Sequence, residues 1–193
     1  MKKFLMRGNN KLLAVFAVLV FIASMIPIWY LAGYARPSGD DYGYSALTHA
    51  AWLDTHSLIE VFKAAIETVK INYVAWNGDW FTTFLFSLMP EVFVPYSFWV
   101  VPYIMTCIVI IATLVLMHEF CVKVLQISWP EYLIFSMLLL FASYQFIPST
   151  AIGMYWYVGA VHYMLPHAAG LLGVAFMSKF LRNGKILHMI GLV

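Results

Sequence analysis

Two aspartates, Asp40 and Asp41, stand side by side in the run Arg36-Pro-Ser-Gly-Asp-Asp-Tyr-Gly-Tyr44. A carboxylate placed there can take the proton of a hydroxyl as that oxygen attacks an electrophilic carbon. Adjacent residues point in different directions in helical or extended backbone, so one of the two faces a cleft. A structural role competes, because Ser38-Gly39-Asp40 has the composition of a turn and either aspartate can cap a helix that follows. Arg36 is placed to pair with a phosphate. A second stretch runs Pro148-Ser-Thr-Ala-Ile-Gly-Met-Tyr-Trp-Tyr-Val-Gly-Ala-Val-His-Tyr163 and gathers Tyr155, Trp156, Tyr157, His162 and Tyr163 around two glycines. Flat rings stack on the C–H faces of a sugar while carboxylates accept from its hydroxyls, so the two stretches together would make a sugar-binding surface.

The elements that position these residues are membrane helices. The chain is 63% hydrophobic and 10% charged, with a mean hydropathy of +0.84, against about 25% charged residues in a soluble domain. Apolar stretches at 12–32, 97–117, 131–147 and 160–181 have or approach the roughly 20 residues of a bilayer span, and a fifth begins at Ile186 and is cut off at Val193. The first is too long for a secretory signal core and lacks a small-x-small cleavage site, so it reads as an uncleaved signal-anchor. Eight of the eleven basic residues precede the first span or fall in the second and fourth connections. That bias puts the amino terminus in the cytoplasm and the segments 33–96 and 148–159 outside. Seven of the nine acidic residues, including Asp40, Asp41, Asp79 and Glu91, fall in 33–96. Spans two to four carry no charge in their interiors, which speaks against an ion or proton relay. No basic cluster beyond the amino-terminal residues suggests nucleic-acid binding.

Within the first external segment, Ser57-Leu-Ile-Glu60 has the form of a capping box. Leu58, Val61, Phe62, Ala65, Ile66 and Val69 then recur at helical spacing, with Glu60, Lys63, Glu67 and Lys70 on the other face. This predicts an amphipathic helix along the membrane surface or on the bundle, ended by Asn77-Gly78. Phe81 to Met89 is too short to cross and is stopped by Pro90, so it reads as a helix dipping into the interface. Trp76, Trp80, Tyr96 and Trp99 suit the headgroup layer whether or not they bind a ligand. Cys107 and Cys121 are about 21 Å apart along one helix, too far for a disulfide, and read as packing residues. His162 and His167 are five apart, off the spacing of a helical metal pair; His49 and His56 read as loop residues.

Three features, in this order, carry a resemblance. A signal-anchor is followed at once by Asp40-Asp41-Tyr42, the first loop ends in Tyr73-Val-Ala-Trp76-Asn-Gly78, and a later loop carries Tyr155-Trp-Tyr-Val-Gly159-Ala-Val-His-Tyr163. This resembles an uncharacterised family of bacterial polytopic membrane proteins whose layout is similar to that of the GT-C glycosyltransferases. The resemblance implies an all-α, multi-pass bundle with a helical extracytoplasmic first loop in the bacterial plasma membrane. It also implies a longer bundle, of which this chain is an amino-terminal part. The implied donor is a polyprenyl-phosphate-linked sugar, and the acceptor a cell-envelope glycan or lipid. In such an inverting transfer one carboxylate takes the acceptor proton while a lipid phosphate leaves without needing a strong acid. By analogy Asp41 is favoured slightly as base, with Asp40 supporting it. Arg36, Tyr42, Trp76, Asp79, Tyr155, Trp156, His162 and Tyr163 are the candidate substrate-binding residues. Asp79 departs from the family, which often has a neutral or basic residue there. A divalent metal at Asp40 or Asp41 is the one cofactor admitted, although no full ligand set can be read. The competing classes are a transporter or flippase component and an accessory scaffold subunit that works with a membrane partner.

Overall fold

The computed structural model describes residues 2–184, so the fifth span expected from Ile186 lies outside the described residues. Every regular element among them is helical. Helix α1, Lys2–Ala32, contains Asn9–Ala32, an apolar stretch of 24 residues. Helices α2, Asp40–Thr55, α3, Leu58–Ala75, and the short α4, Phe81–Phe86, follow. Helix α5 runs Val100–Val124, its last seven residues widened into π-helical turns, and α6 covers Trp129–Gln145. Helix α7, Tyr157–Asn183, is again π-helical over Ala160–Met164. The Asn9–Ala32 stretch, α5 and α7 are long and apolar enough to cross a membrane. Helix α6 has 17 residues, about 25 Å, at the lower edge of a span. Leu12, Phe16, Leu19 and Ile26 of α1 and Phe135 and Leu138 of α6 lie exposed, an outward apolar surface that suits lipid.

Three expectations are corrected. His49, read as a loop residue, lies within α2, whose buried face is polar. At Ser57 the backbone is extended as a cap requires, but the hydroxyl makes no capping bond and Glu60 pairs with Lys63 at 2.8 Å. The capping box sits instead at Ser128–Glu131, where the Glu131 carboxylate accepts the Ser128 N–H at 2.9 Å. Helix α5 also continues past residue 117, which carries Glu119 and Lys123 into the helix.

The chain divides into two compact units. The first holds the chain up to Trp29, Thr106–Pro148 and the described residues from Pro166 on. Its contacts are rings and small residues, with Phe21 against Tyr144, and Ala112, Ala168 and Ala175 buried. Gln145 Nε2 donates to the Ser24 carbonyl at 3.1 Å and the Tyr144 hydroxyl to the Thr106 carbonyl at 3.2 Å. Arg182 donates from Nε and Nη2 to the two oxygens of Glu119, each at 3.0 Å, with the Glu119 side chain 1% exposed and Arg182 38%. Removing Arg182 strands a buried carboxylate. Arg182→Ala is expected to cost about 2–3 kcal/mol, below the 3–5 of a wholly buried pair. Thermal melts in detergent check this, and adding Glu119→Gln should recover much of the loss.

The second unit, Tyr30–Met105 with Ser149–Leu165, brings both expected external segments together. Helix α2 packs against α3, α4 and the turn at Pro90–Val92. Its inward positions recur at four- and three-residue steps as Asp41, Ser45 and Thr48, all buried. Backbone acceptors satisfy the hydroxyls, Ser45 on Asp41 and Thr48 on Ser45 and Ser87. The Trp52 indole donates to the Phe93 carbonyl at 3.1 Å. On α3 the buried stripe is Val61, Ala65 and Thr68, whereas Leu58, Phe62 and Ile66 are exposed.

Candidate functional site

The turn ahead of α2 sets the two aspartates. Gly39 has φ 54° and ψ −121°, a conformation open in practice only to glycine. Asp40 and Asp41 follow in the first turn of α2, where their charges meet the positive end of the helix dipole. From there the two side chains part.

Asp41 is fully buried. Its Oδ2 accepts the Ser38 N–H and its Oδ1 the Val158 N–H, both at 3.0 Å, and the Tyr157 N–H adds to the stabilisation of its charge. Tyr157 and Val158 open α7, so a carboxylate from one segment caps a helix more than a hundred residues further on. The Tyr157 hydroxyl adds a bond to the Leu85 carbonyl at 2.9 Å. Burial pushes the Asp41 carboxyl above its ordinary range, outweighing the donors that stabilise its charge, and the Asp40 charge pushes the same way. A carboxyl whose native pKa is raised contributes stability at low pH and loses it as pH rises through that value. The melting temperature of the wild type is therefore expected to fall as pH rises from about 4, relative to Asp41→Asn, which has no proton to lose. Parallel melting profiles for the two proteins would refute this.

Asp40 is exposed and, among the described residues, has no hydrogen-bond or ion-pair partner. It lines a hollow of about 410 Å³ with Gly43, Tyr44, Asn72 and Trp76. Tyr44 also borders a smaller hollow of about 180 Å³, with Asn77, Asp79, Trp156, His162 and Tyr163 among its walls. Six of the residues expected from the sequence are therefore collected around one tyrosine, in a single unit: Asp40, Trp76, Asp79, Trp156, His162 and Tyr163. Burial first, then the charges of Asp40 and Asp79, hold the Tyr44 phenol above its ordinary range, so it stays a donor at neutral pH. The Trp156 Nε1 is buried without a partner among the described residues.

Asp79 caps α4. Its Oδ1 accepts the Thr82 N–H at 3.2 Å and its Oδ2 the Thr82 hydroxyl, while its own N–H donates to Asn77 Oδ1 at 3.3 Å. The other candidates stand apart from both hollows. Arg36 is exposed and donates to the carbonyls of Ala35 at 2.7 Å and Gly33 at 3.3 Å. Tyr42 is exposed and Tyr155 half-buried, and neither is among the walls of these two hollows. His49 faces the Val92 carbonyl at 3.3 Å, and His56 is the left-handed cap of α2.

Tyr44, Asn72 and Asn77 are not among the candidate binding residues read from the sequence, although Asn77 stands in the motif that closes the first loop. The signal was present: Tyr44 lies four residues after Asp40 on one face of α2, and Asn72 lies four before Trp76, which caps the end of α3. No lysine or arginine lines either hollow. Among the described residues no three or more His, Cys, Asp or Glu side chains come together so as to hold a metal ion. These residues therefore offer no full ligand set for a divalent metal. Comparison with family models, curated proteins and solved structures finds no match.

Proposed function

We propose that this chain carries the sugar-binding and proton-accepting part of a membrane glycosyltransferase of GT-C-like layout, with a polyprenyl-phosphate-linked sugar as donor. The observation that carries the reading is the unpartnered Asp40 carboxylate in a hollow walled by Trp76, Tyr44 and Asn72. Trp76 offers a face for stacking, Asn72 and the Tyr44 hydroxyl supply hydrogen bonds, and Asp40 is the proton acceptor. In the step, the acceptor O–H gives its proton to Asp40 as its oxygen bonds to the anomeric carbon. The bond from that carbon to the phosphate oxygen breaks, and the lipid phosphate leaves with the electron pair. These placements favour Asp40 as base, with Asp41 as the positioning residue that fixes the start of α7 and so Trp156 and His162. Phe62 and Ile66, exposed on α3, suit a helix lying at the extracytoplasmic face of the plasma membrane, where the donor headgroup would sit.

Membranes containing the chain, supplied with a polyprenyl phosphate bearing a tritiated hexose, should form a new glycosylated lipid or glycan above vector-only membranes. Lack of basic residues around both hollows favours one second reading, a site that binds neutral sugars without transferring them, as in a flippase component. Saturable sugar binding with no new glycosidic bond would decide for that reading.

A further inference from the structure

In the first unit, the end of α5 and the last turns of α7 border a cavity of about 690 Å³. Phe120, Val174 and Met177 give it apolar walls, and Lys123, Ser178 and Arg182 bring polar groups to it. The charges do not cancel. Arg182 is neutralised by its two bonds to buried Glu119, whereas exposed Lys123 has no carboxylate partner among the described residues. One positive charge is left over. The guanidinium of Arg182, more than a third exposed, still has N–H groups not used by Glu119.

We propose that this cavity is a binding site for one anionic phospholipid. The Lys123 ammonium, the Ser178 hydroxyl and the free N–H groups of Arg182 take the headgroup phosphate, and Phe120, Val174 and Met177 take the start of an acyl chain. A phosphodiester has the single negative charge that the cavity lacks. The apolar walls select an amphiphile over a free anion, since a small phosphate would leave them wet. Basic cavities between membrane helices are established places for acidic headgroups. The site is separate from the sugar hollow, so it stands whether or not the transfer reading does.

The test is native mass spectrometry of the full chain in detergent, titrated with palmitoyl-oleoyl phosphatidylglycerol or with phosphatidylcholine of the same chains. Preferential retention of phosphatidylglycerol is expected, reduced about five-fold in Lys123→Gln and restored in Lys123→Arg. Lys179→Gln is the control, because Lys179 lies over the Phe176 ring at 5.2 Å and not in the cavity; it should retain lipid as the wild type does. Thermal melts of each variant separate a binding defect from misfolding. Equal retention of the two lipids would overturn the proposal, as would equal losses in the two lysine variants. Competition by soluble glycerol phosphate at the concentrations of the lipid would also overturn it, since the site would then be one for a small anion.

Discussion

Asp40→Asn is expected to lower sugar transfer by about 10² to 10⁴-fold, the range that a positioned general base contributes, with the melting temperature almost unchanged. Asparagine has the same shape, and Asp40 makes no bond among the described residues that the amide would break. The only folding term at risk is its interaction with the helix dipole, about 0.3–1 kcal/mol. Asp41→Asn should behave differently. Its two carboxylate oxygens accept from Ser38 and Val158, and an amide offers one acceptor oxygen and an NH₂ that faces a donor. A buried N–H left unpaired costs about 1–3 kcal/mol, so stability and transfer should fall together. Measuring both quantities for both variants distinguishes the base from the positioning residue. If Asp40→Asn keeps transfer within ten-fold of wild type while Asp41→Asn loses it without destabilisation, the assignment of the two roles is reversed.

The division between these neighbours explains where sequence reading stops. Both look alike in Ser38-Gly-Asp-Asp-Tyr42, and what separates them is a bond to the backbone of Val158, a partner fixed by tertiary structure alone. The long apolar helices were legible because lipid imposes length and composition on each span locally. Helix α2 was legible only as a start at the aspartates and not in its extent, since its buried face is Asp41, Ser45 and Thr48 and so has no apolar period to detect. The end of α5 was misplaced for a related reason. Glu119 and Lys123 look like the close of a span, yet Glu119 is buried because Arg182 meets it from far along the chain. The site was half legible. Aromatic and acidic residues marked both stretches, but Tyr44 and Asn72, the polar residues that complete the larger hollow, are unremarkable until two helices bring them together.

The second large effect is expected at Gly159. A methyl group there would overlap the Ile152 carbonyl oxygen and come within 2.8 Å of Trp156 Cε3. The first obstacle is backbone, which cannot swing aside as a side chain can. The π-helical turn at Ala151–Tyr155 and the first turn of α7 approach so closely that only glycine fits. Gly159→Ala is therefore expected to destabilise the protein by about 3 kcal/mol, at the top of the range for overpacking. On the proposed function, displacing Trp156 and His162 would also weaken sugar binding. Gly170, further along α7, is the internal control, because a methyl group there meets nothing within 4 Å. Gly170→Ala should be neutral or stabilising by up to about 1 kcal/mol, the ordinary gain of replacing a helical glycine. The two substitutions share a helix and a chemistry and differ only in what the methyl meets, so opposite signs in their melting shifts test that contact directly. Equal shifts would mean that residues 151–155 do not rest on α7. Trp156 would then lose the packing that brings it to Tyr44 and Asp79, and the smaller hollow would lose a wall.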